Sequence, residues 1–266
     1  MSVEAESGRL KLQRAVEHID AAEELVARWL DGDDYTIVSG TDPATGLTTA
    51  RAQVKRAPPA RLSVLVGDAV QNMRTALDHS VYWLAERALG TLTSEVEATL
   101  MFPIFGNENS RGIPADGAQL FAKASKQQLF GVPDKARDFI ETEQPYHWKD
   151  DNGYRYHWLW VLHDLNRIDK HRRLATTTAA LDLQYLSYPD GVEPRVSFKR
   201  AEGPIRDGDE LVTYSDAHAG VGGFFERAVA FDEPTHYRSS RPGVGETLRS
   251  LLQRVQWIVA VLETLA

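Results

Sequence analysis

Residues 58–89 read PPARLSVLVGDAVQNMRTALDHSVYWLAERAL, and they supply the longest helical signal in the chain. Two prolines open the stretch, and apolar side chains then recur every three or four positions, as one buried helix face requires. These apolar positions are Leu62, Val66, Ala69, Val70, Met73, Leu77, Val81 and Leu84. The sequence therefore predicts a long amphipathic helix over about 58–90.

Three further stretches have the same helical spacing, over about 9–30, 154–173 and 244–265. The stretch 154–173 is apolar on nearly every face, which is typical of a central helix. Between these helices, residues 91–116 are predicted to form a long loop anchored by an apolar plug at 101–105. Short helices are predicted at 117–130 and 134–143.

Two stretches have strand signals, at about 35–56 and 175–233. The turn sequence at 42–46 lies between alternating apolar residues and predicts a β-hairpin. The Arg206-Asp207-Gly208-Asp209 turn predicts another hairpin connection. Strands and helices do not alternate one for one, so we expect an α+β protein rather than parallel βαβ winding. The prediction is a helical bundle of about four long helices, elaborated by a mainly antiparallel β-sheet, in a single domain over 1–266.

The composition excludes several classes of protein. Hydrophobic residues at 42% and charged residues at 26% are ordinary for a globular chain of 266 residues. The net charge of -8 argues against a protein that coats nucleic acid or membrane through bulk charge. The absence of cysteine removes disulfides, Cys-ligated zinc and thiol catalysis, and it suits a reducing cytoplasm. No apolar run is long enough to span a membrane, and no signal peptide is evident, so we expect a cytoplasmic protein.

The predicted helix over 58–90 also has a polar face. Asp68, Asn72, Thr75 and His79 follow one another at steps of four, three and four, which places them in one row. Arg74 lies beside that row and can pair with Asp78 one turn later. An imidazole can move a proton near neutral pH, and a guanidinium holds a permanent positive charge against phosphate oxygens. This combination favours chemistry on a phosphodiester.

The Arg74-x4-His79 spacing resembles the motif of the HEPN superfamily, helical-bundle proteins that include many prokaryotic RNA-cutting toxins. The resemblance implies a homodimer in which two copies of the motif share one cleft and cut RNA without a metal. It implies that Arg74 stabilises the phosphate charge and that His79 acts in acid/base transfer or orientation. Supporting roles for Asn72 and Asp78 are our own assignments. The alternative is structural: Asp78 pairs with Arg74, and His79 packs at a helix seam.

The helix over 154–173 contains a second polar cluster, Asn166-x-x-Asp169-Lys170-His171-Arg172. Together with Gln144-Pro145-Tyr146, Phe102-Pro103-Ile104 and the Asn72-x-Arg74-x3-Asp78-His79 run, it is similar to a widespread group of bacterial and phage proteins. Members of that group have the two motifs on two different helices. The resemblance covers about residues 58–174 and implies no activity, but it suggests that the two helices meet.

We therefore hypothesise that Asn72, Arg74, Asp78 and His79 face Asn166, Asp169, Lys170 and His171 across a helix interface. One interpretation is a phosphate-handling site in which Arg74, Lys170 and Arg172 contact the anion. The other is a buried ion-pair network that fixes helix register. Cations from Lys170 onward also complement the dipole at a helix end without any function.

No metal or cofactor is predicted. His157, His163, Asp164, Asp169 and His171 could supply metal ligands, but no two histidines lie one helical turn apart. The chain has no Walker loop and no Gly-x-Ser-x-Gly elbow. Two functions follow: a metal-independent endoribonuclease acting on RNA as a toxin or in phage defence, or a non-catalytic helical-bundle binding protein with a structural polar network.

Overall fold

The computed structural model describes residues 3–108, 112–148, 153–171, 176–182, 196–198, 205–215, 225–231 and 243–266. The helices are α1 (Val3–Asp31), α2 (Ala60–Leu89), α3 (Ser94–Glu97), α4 (Gly117–Gln128), α5 (Asp134–Thr142), α6 (Trp158–His171) and α7 (Val244–Thr264). The strands are β1 (Tyr35–Asp42), β2 (Leu47–Val54), β3 (Thr176–Asp182), β4 (Val196–Phe198), β5 (Glu210–Ser215) and β6 (Phe225–Phe231). The predicted α+β class is confirmed.

Helix α2 lies at the centre of the helical part, since α1, α6 and α7 all contact it. It begins directly after Pro59, whose φ of -57° already suits a helix. It ends at Leu89. The N–H of Gly90 makes the last helical hydrogen bond, to the carbonyl of Glu86 at 2.8 Å, and the φ of 79° at Gly90 then turns the chain out of the helix. Every residue of its predicted apolar line is buried. That the long helices form a four-helix bundle within a single domain stays a prediction.

The predicted hairpin is confirmed and connects α1 to α2. Strands β1 and β2 pair antiparallel from Tyr35 opposite Val54 to Asp42 opposite Leu47. The turn is set by Asp42, whose carboxylate accepts hydrogen bonds from the Ala44 N–H and the Thr45 hydroxyl, both at 2.9 Å. Turn chemistry of this kind is readable from sequence because the Asx side chain fixes its own loop.

The strands divide between two sheets rather than forming one. The four-stranded sheet has the order β1-β2-β5-β4, and β3 pairs with β6 in a two-stranded ribbon; all these pairings are antiparallel. The predicted turn at 206–209 precedes β5, and Gly208 there has a φ of 84°. The β3–β6 ribbon is separate from the four-stranded sheet. Its strand β6 packs against α1 and α7, where Val229 and Phe231 are buried. Candidate strand positions 183–185 lie outside the described residues.

Helix α6 is shorter than the predicted span of 154–173. Residues 153–156 form a 3₁₀ turn instead, and α6 begins after His157, whose Nδ1 accepts a hydrogen bond from the Leu159 N–H at 3.2 Å. The first N–H groups of a helix have no partner within the helix, and a side chain that accepts from one of them defines where the helix begins. Residues 172 and 173 lie outside the described part of the chain. The predicted loop over 91–116 also contains the short helix α3.

The apolar plug at Met101–Phe105 is confirmed. Phe102, Pro103 and Ile104 are buried, while Met101 stays 39% exposed. The chain leaves the plug through Gly106, which has no room for a side chain. A Cβ added there would lie 2.3 Å from the Tyr154 ring. Close backbone packing therefore continues from the plug into the following loop.

Replacing Gly117 by alanine should destabilise the protein by about 1–3 kcal/mol, because overpacking forces the backbone to shift. A Cβ at Gly117 would lie 2.5 Å from the carbonyl oxygen of Gly106 and 2.4 Å from Cβ of Tyr146, and neither atom can swing away. Gly40→Ala is the matched control, since a Cβ there meets nothing within 4 Å. Urea unfolding followed by circular dichroism would measure the difference; equal midpoints for the two variants would contradict the packing.

Candidate functional site

Arg74 and Asp78, one turn apart on α2, both bind the backbone of Phe102 in the plug. Nη2 of Arg74 donates to the carbonyl oxygen of Phe102 at 2.5 Å and lies 2.9 Å from Oδ1 of Asp78. The Phe102 N–H in turn donates to the same Oδ1 at 2.9 Å. Both backbone groups of Phe102 are thus satisfied by side chains. We call this arrangement of Arg74, Asp78 and the Phe102 backbone the Phe102 clamp.

The clamp lies at the edge of the core, and its two partners differ in exposure. The side chain of Arg74 is 11% exposed, whereas that of Asp78 remains 33% exposed. Burial lowers the pKa of Arg74, and the nearby carboxylate of Asp78 raises it. Burial raises the pKa of Asp78, while Arg74, the Phe102 N–H, Lys170 and His79 lower it. The pair therefore holds a buried cation in place with a carboxylate that water still reaches.

Gln144 holds the other end of the plug and is completely buried. Its Nε2 donates to the carbonyls of Pro103 and Ile140, both at 2.9 Å, and its Oε1 accepts from the Phe105 N–H at 3.0 Å. An irregular segment inside a protein needs partners for its backbone, and these side chains supply them. The sequence identifies Gln144 as part of a motif but does not predict that its side chain binds the backbone of the plug.

Helices α2 and α6 contact each other as hypothesised, but the facing residues are only partly those expected. Asp169 packs over Gly67, where an added Cβ would lie 2.3 Å from Oδ1 of Asp169. Lys170 is exposed, and its charge acts on both Asp78 and His163. Of the residues predicted to face each other, Asp78 and Lys170 are thus close enough for their charges to interact.

The remaining predicted residues of α2 point elsewhere. The Nδ2 of Asn72 donates to the carbonyl of Asp68 on its own helix at 2.7 Å. His79 is half-buried on the side that faces α1, since a Cβ added to Gly8 would lie 3.7 Å from Cβ of His79. Five residues at 3.6 per turn separate Arg74 from His79 by about 140° around the helix. Arg74 therefore faces the plug, and His79 faces α1.

Two buried polar atoms near this seam have no hydrogen-bond partner within the described residues, Nη1 of Arg74 and Oδ1 of Asn166. Asn166 is one helical turn from both His163 and Asp169. The Arg74 charge lowers the pKa of His163, and Asp169 packs on Gly67. It therefore lies on the side of α6 that faces α2. Arg172 lies outside the described residues. Helix α6 ends at His171, whose side chain is not among those described.

The outer side of α6 combines aromatic and cationic groups. The Trp160 ring contacts that of His163 with 5.5 Å between centroids, and Tyr154 meets Trp160 edge-on at 5.1 Å. Arg155 binds Glu108 at 2.7 Å and lies over the Tyr154 ring. The sequence patterns place His163 only among the possible metal ligands and predict no role for Trp160 beyond packing. The 160–163 spacing on a helix was the available signal.

The loop patch around Trp148 is positioned by the start of α6. Trp148 is 48% exposed, and its ring meets that of His157 edge-on at 5.1 Å. Nε2 of His147 donates to the carbonyl oxygen of Glu141 at 3.0 Å. The exposed tryptophan therefore covers the histidine that caps α6.

The chain matches no protein-family model, no curated protein sequence and no solved structure. Among the described residues, no three His, Asp or Glu side chains are grouped so that they could hold a metal ion. None of the helices in the described ranges is long and apolar enough to cross a membrane.

Disruption of the Phe102 clamp should be strongly and asymmetrically destabilising. Asp78→Asn leaves the buried guanidinium without a counter-charge and should cost about 3–5 kcal/mol. Arg74→Met should cost less, about 2–3 kcal/mol, because Asp78 can be hydrated. Urea unfolding would measure both changes. Arg14→Met, in an exposed pair with Glu17, is the control and should change stability by less than about 1 kcal/mol. A wild-type midpoint for Asp78→Asn would show that the clamp is not structural.

Acidification should destabilise the protein through two histidines, the buried His157 and the half-buried His163. Burial, with nearby Arg254 and His147, lowers the pKa of His157 to about 4. Burial and the charges of Arg74, Arg167 and Lys170 lower that of His163 to about 4, against the effect of Asp164. Between pH 6.5 and 4 the unfolded chain binds more protons than the native state, so stability falls as the pH falls through this window.

The expected loss is about 1–3 kcal/mol for each histidine, measured as the urea midpoint at several pH values between 7 and 4. His157→Gln and His163→Gln should each flatten the dependence. The raised pKa values of Asp78, Asp169 and Glu143 have the opposite effect on stability as the pH falls, because protonation of these carboxyls favours the native state. Comparison of each variant with wild type isolates the histidine contribution. An unchanged slope in both variants would contradict it.

Proposed function

We propose that this chain is a non-catalytic helical-bundle protein that acts by binding, and that the polar motif of α2 maintains its fold. The observation that carries the proposal is the Phe102 clamp. A group that stabilises a reacting phosphate must present free donors where charge develops. Nη2 of Arg74 instead donates to the Phe102 carbonyl and pairs with Asp78.

The exposure of Arg74 supports the same proposal. The residue is 9% exposed, and its remaining terminal nitrogen, Nη1, is buried as well. A phosphate could reach this guanidinium only after the plug had moved away from α2. That movement would break both hydrogen bonds of the Phe102 backbone and leave its polar groups unsatisfied. Arg74 is therefore better suited to holding the plug than to meeting a substrate.

The second candidate is a metal-independent endoribonuclease that works as a homodimer in the cytoplasm. One observation favours it: the charges of His79 and Lys170 both act on the half-exposed carboxylate of Asp78. An imidazole and an ammonium near one carboxylate could serve in proton transfer and charge stabilisation. In this candidate His79 keeps its acid/base role, Arg74 becomes a structural residue, and Lys170 takes over the contact with phosphate.

A cleavage assay separates the two candidates. The purified protein is incubated with an unstructured RNA in EDTA, and the products are resolved on a denaturing gel. We expect no cutting by wild type, His79→Ala or Lys170→Ala. Cutting by wild type that is abolished in His79→Ala and in Lys170→Ala would overturn the proposal and establish the endoribonuclease. Lys126→Ala, an exposed cation of α4, is the control for the loss of charge alone.

A further inference from the structure

We infer that the outer face of α6 binds single-stranded nucleic acid, with Trp160 and His163 stacking on bases and Arg167 and Lys170 contacting phosphates. This inference rests on the proposed function, because it names the partner class of a protein that binds without cutting. It uses side chains other than those of the Phe102 clamp, and it borders the clamp, since the Lys170 charge acts on Asp78.

The four side chains lie in one row of the helix. Trp160, His163, Arg167 and Lys170 follow at steps of three, four and three, so they share one face. The row spans about 15 Å at 1.5 Å per residue. Trp160 and His163 are half-exposed, and Arg167 and Lys170 are exposed. The row therefore presents rings at one end and cations at the other.

The charge of this row differs from that of the protein as a whole, which has a net charge of -8. Two carboxylates interact with the cations of the row: Asp164 binds Arg167, and the Lys170 charge acts on Asp78. The side chain of Asp164 is only 10% exposed and that of Arg167 is 59% exposed. A strand lying on the row thus meets the exposed guanidinium of Arg167 and the exposed ammonium of Lys170, while the carboxylate of Asp164 is largely covered. Phosphates are the complementary partner for two cations at this spacing.

The rings suit nucleobases better than an acidic peptide. Burial keeps the pKa of His163 at about 4, so its imidazole is neutral near pH 7 and can stack as a flat ring beside Trp160. Trp160 is held by its T-shaped contact with Tyr154 and by the close packing on Gly106. A ring that is already ordered loses little conformational freedom when a base stacks on it. Aromatic platforms beside cations are the usual basis of sequence-tolerant binding of single strands.

Fluorescence anisotropy with the full chain tests this surface. The probes are labelled oligo(U) and oligo(dT) of about ten nucleotides, at about 50 mM salt, with polyglutamate as competitor. Wild type should bind both probes, and the logarithm of its binding constant should fall with that of salt at a slope of about -1.4 for two phosphate contacts. Arg167→Ala with Lys170→Ala should abolish most of this slope. Lys126→Ala with Lys123→Ala, two exposed cations of α4, should leave it unchanged.

Variants of Trp160 test the stacking itself. Trp160→Ala should weaken binding by about 5- to 150-fold, and Trp160→Phe should retain most of it, because phenylalanine still offers a ring. Melting temperatures of both variants would show whether the fold is intact, and Trp160→Phe keeps the test valid if the alanine variant unfolds. Quenching of tryptophan fluorescence on addition of oligo(U), lost in Trp160→Phe, would support direct stacking.

The outcomes separate this inference from the proposed function. No binding of either probe by wild type, equal loss in the α4 control, or displacement by polyglutamate at equal charge concentration would overturn the nucleic-acid surface. An intact oligonucleotide at the end of the titration leaves the non-catalytic proposal standing in each of these cases. A cut oligonucleotide would instead overturn the non-catalytic proposal, whatever the variants of α6 do to binding.

Discussion

The fold depends on one ionic contact, the pair of Arg74 and Asp78 on the backbone of Phe102. A buried cation is costly unless a counter-charge and hydrogen bonds accompany it, and here Nη2 of Arg74 has both, from Asp78 and the Phe102 carbonyl. The contact fixes where the plug meets α2, and through the plug it positions the loop that packs on Tyr146, Tyr154 and α4. Removing either charged partner therefore affects much more than one ion pair.

The clamp also gives a physical explanation for several short motifs that lie far apart in the sequence. Arg74 and Asp78 come from α2, and Gln144 lies just after α5, yet their polar groups converge on residues 102–105 of the plug. A segment without regular secondary structure has no ladder of its own, so its backbone must be satisfied by side chains at fixed positions. Residues chosen for this purpose would be specific in type and spacing even in a protein without catalysis.

Helix α2 and the β1–β2 hairpin could be predicted from local rules, but the Phe102 clamp could not. Apolar spacing located α2 because one buried face repeats every turn, and Asp42 revealed the hairpin because its carboxylate bonds its own loop. The sequence also anticipated the pairing of Arg74 with Asp78, since both lie on one helix. It could not reveal that both hold Phe102, because the acceptor is a backbone carbonyl that any residue type would supply. The same limit hid the contact of Asp169 with Gly67, which depends on the crossing of two helices.

The pairing of β2 with β5 has a consequence for the order of events during synthesis. Thr49 and Thr213 are bonded across this pair, and 164 positions separate them. At about 5–20 residues per second, β5 emerges from the ribosome roughly 8–30 s after β2, whereas a hairpin forms in microseconds. The nascent β1–β2 hairpin thus spends seconds with the side that will receive β5 still open. That interval is the time in which a chaperone or a second nascent chain could occupy the place of β5.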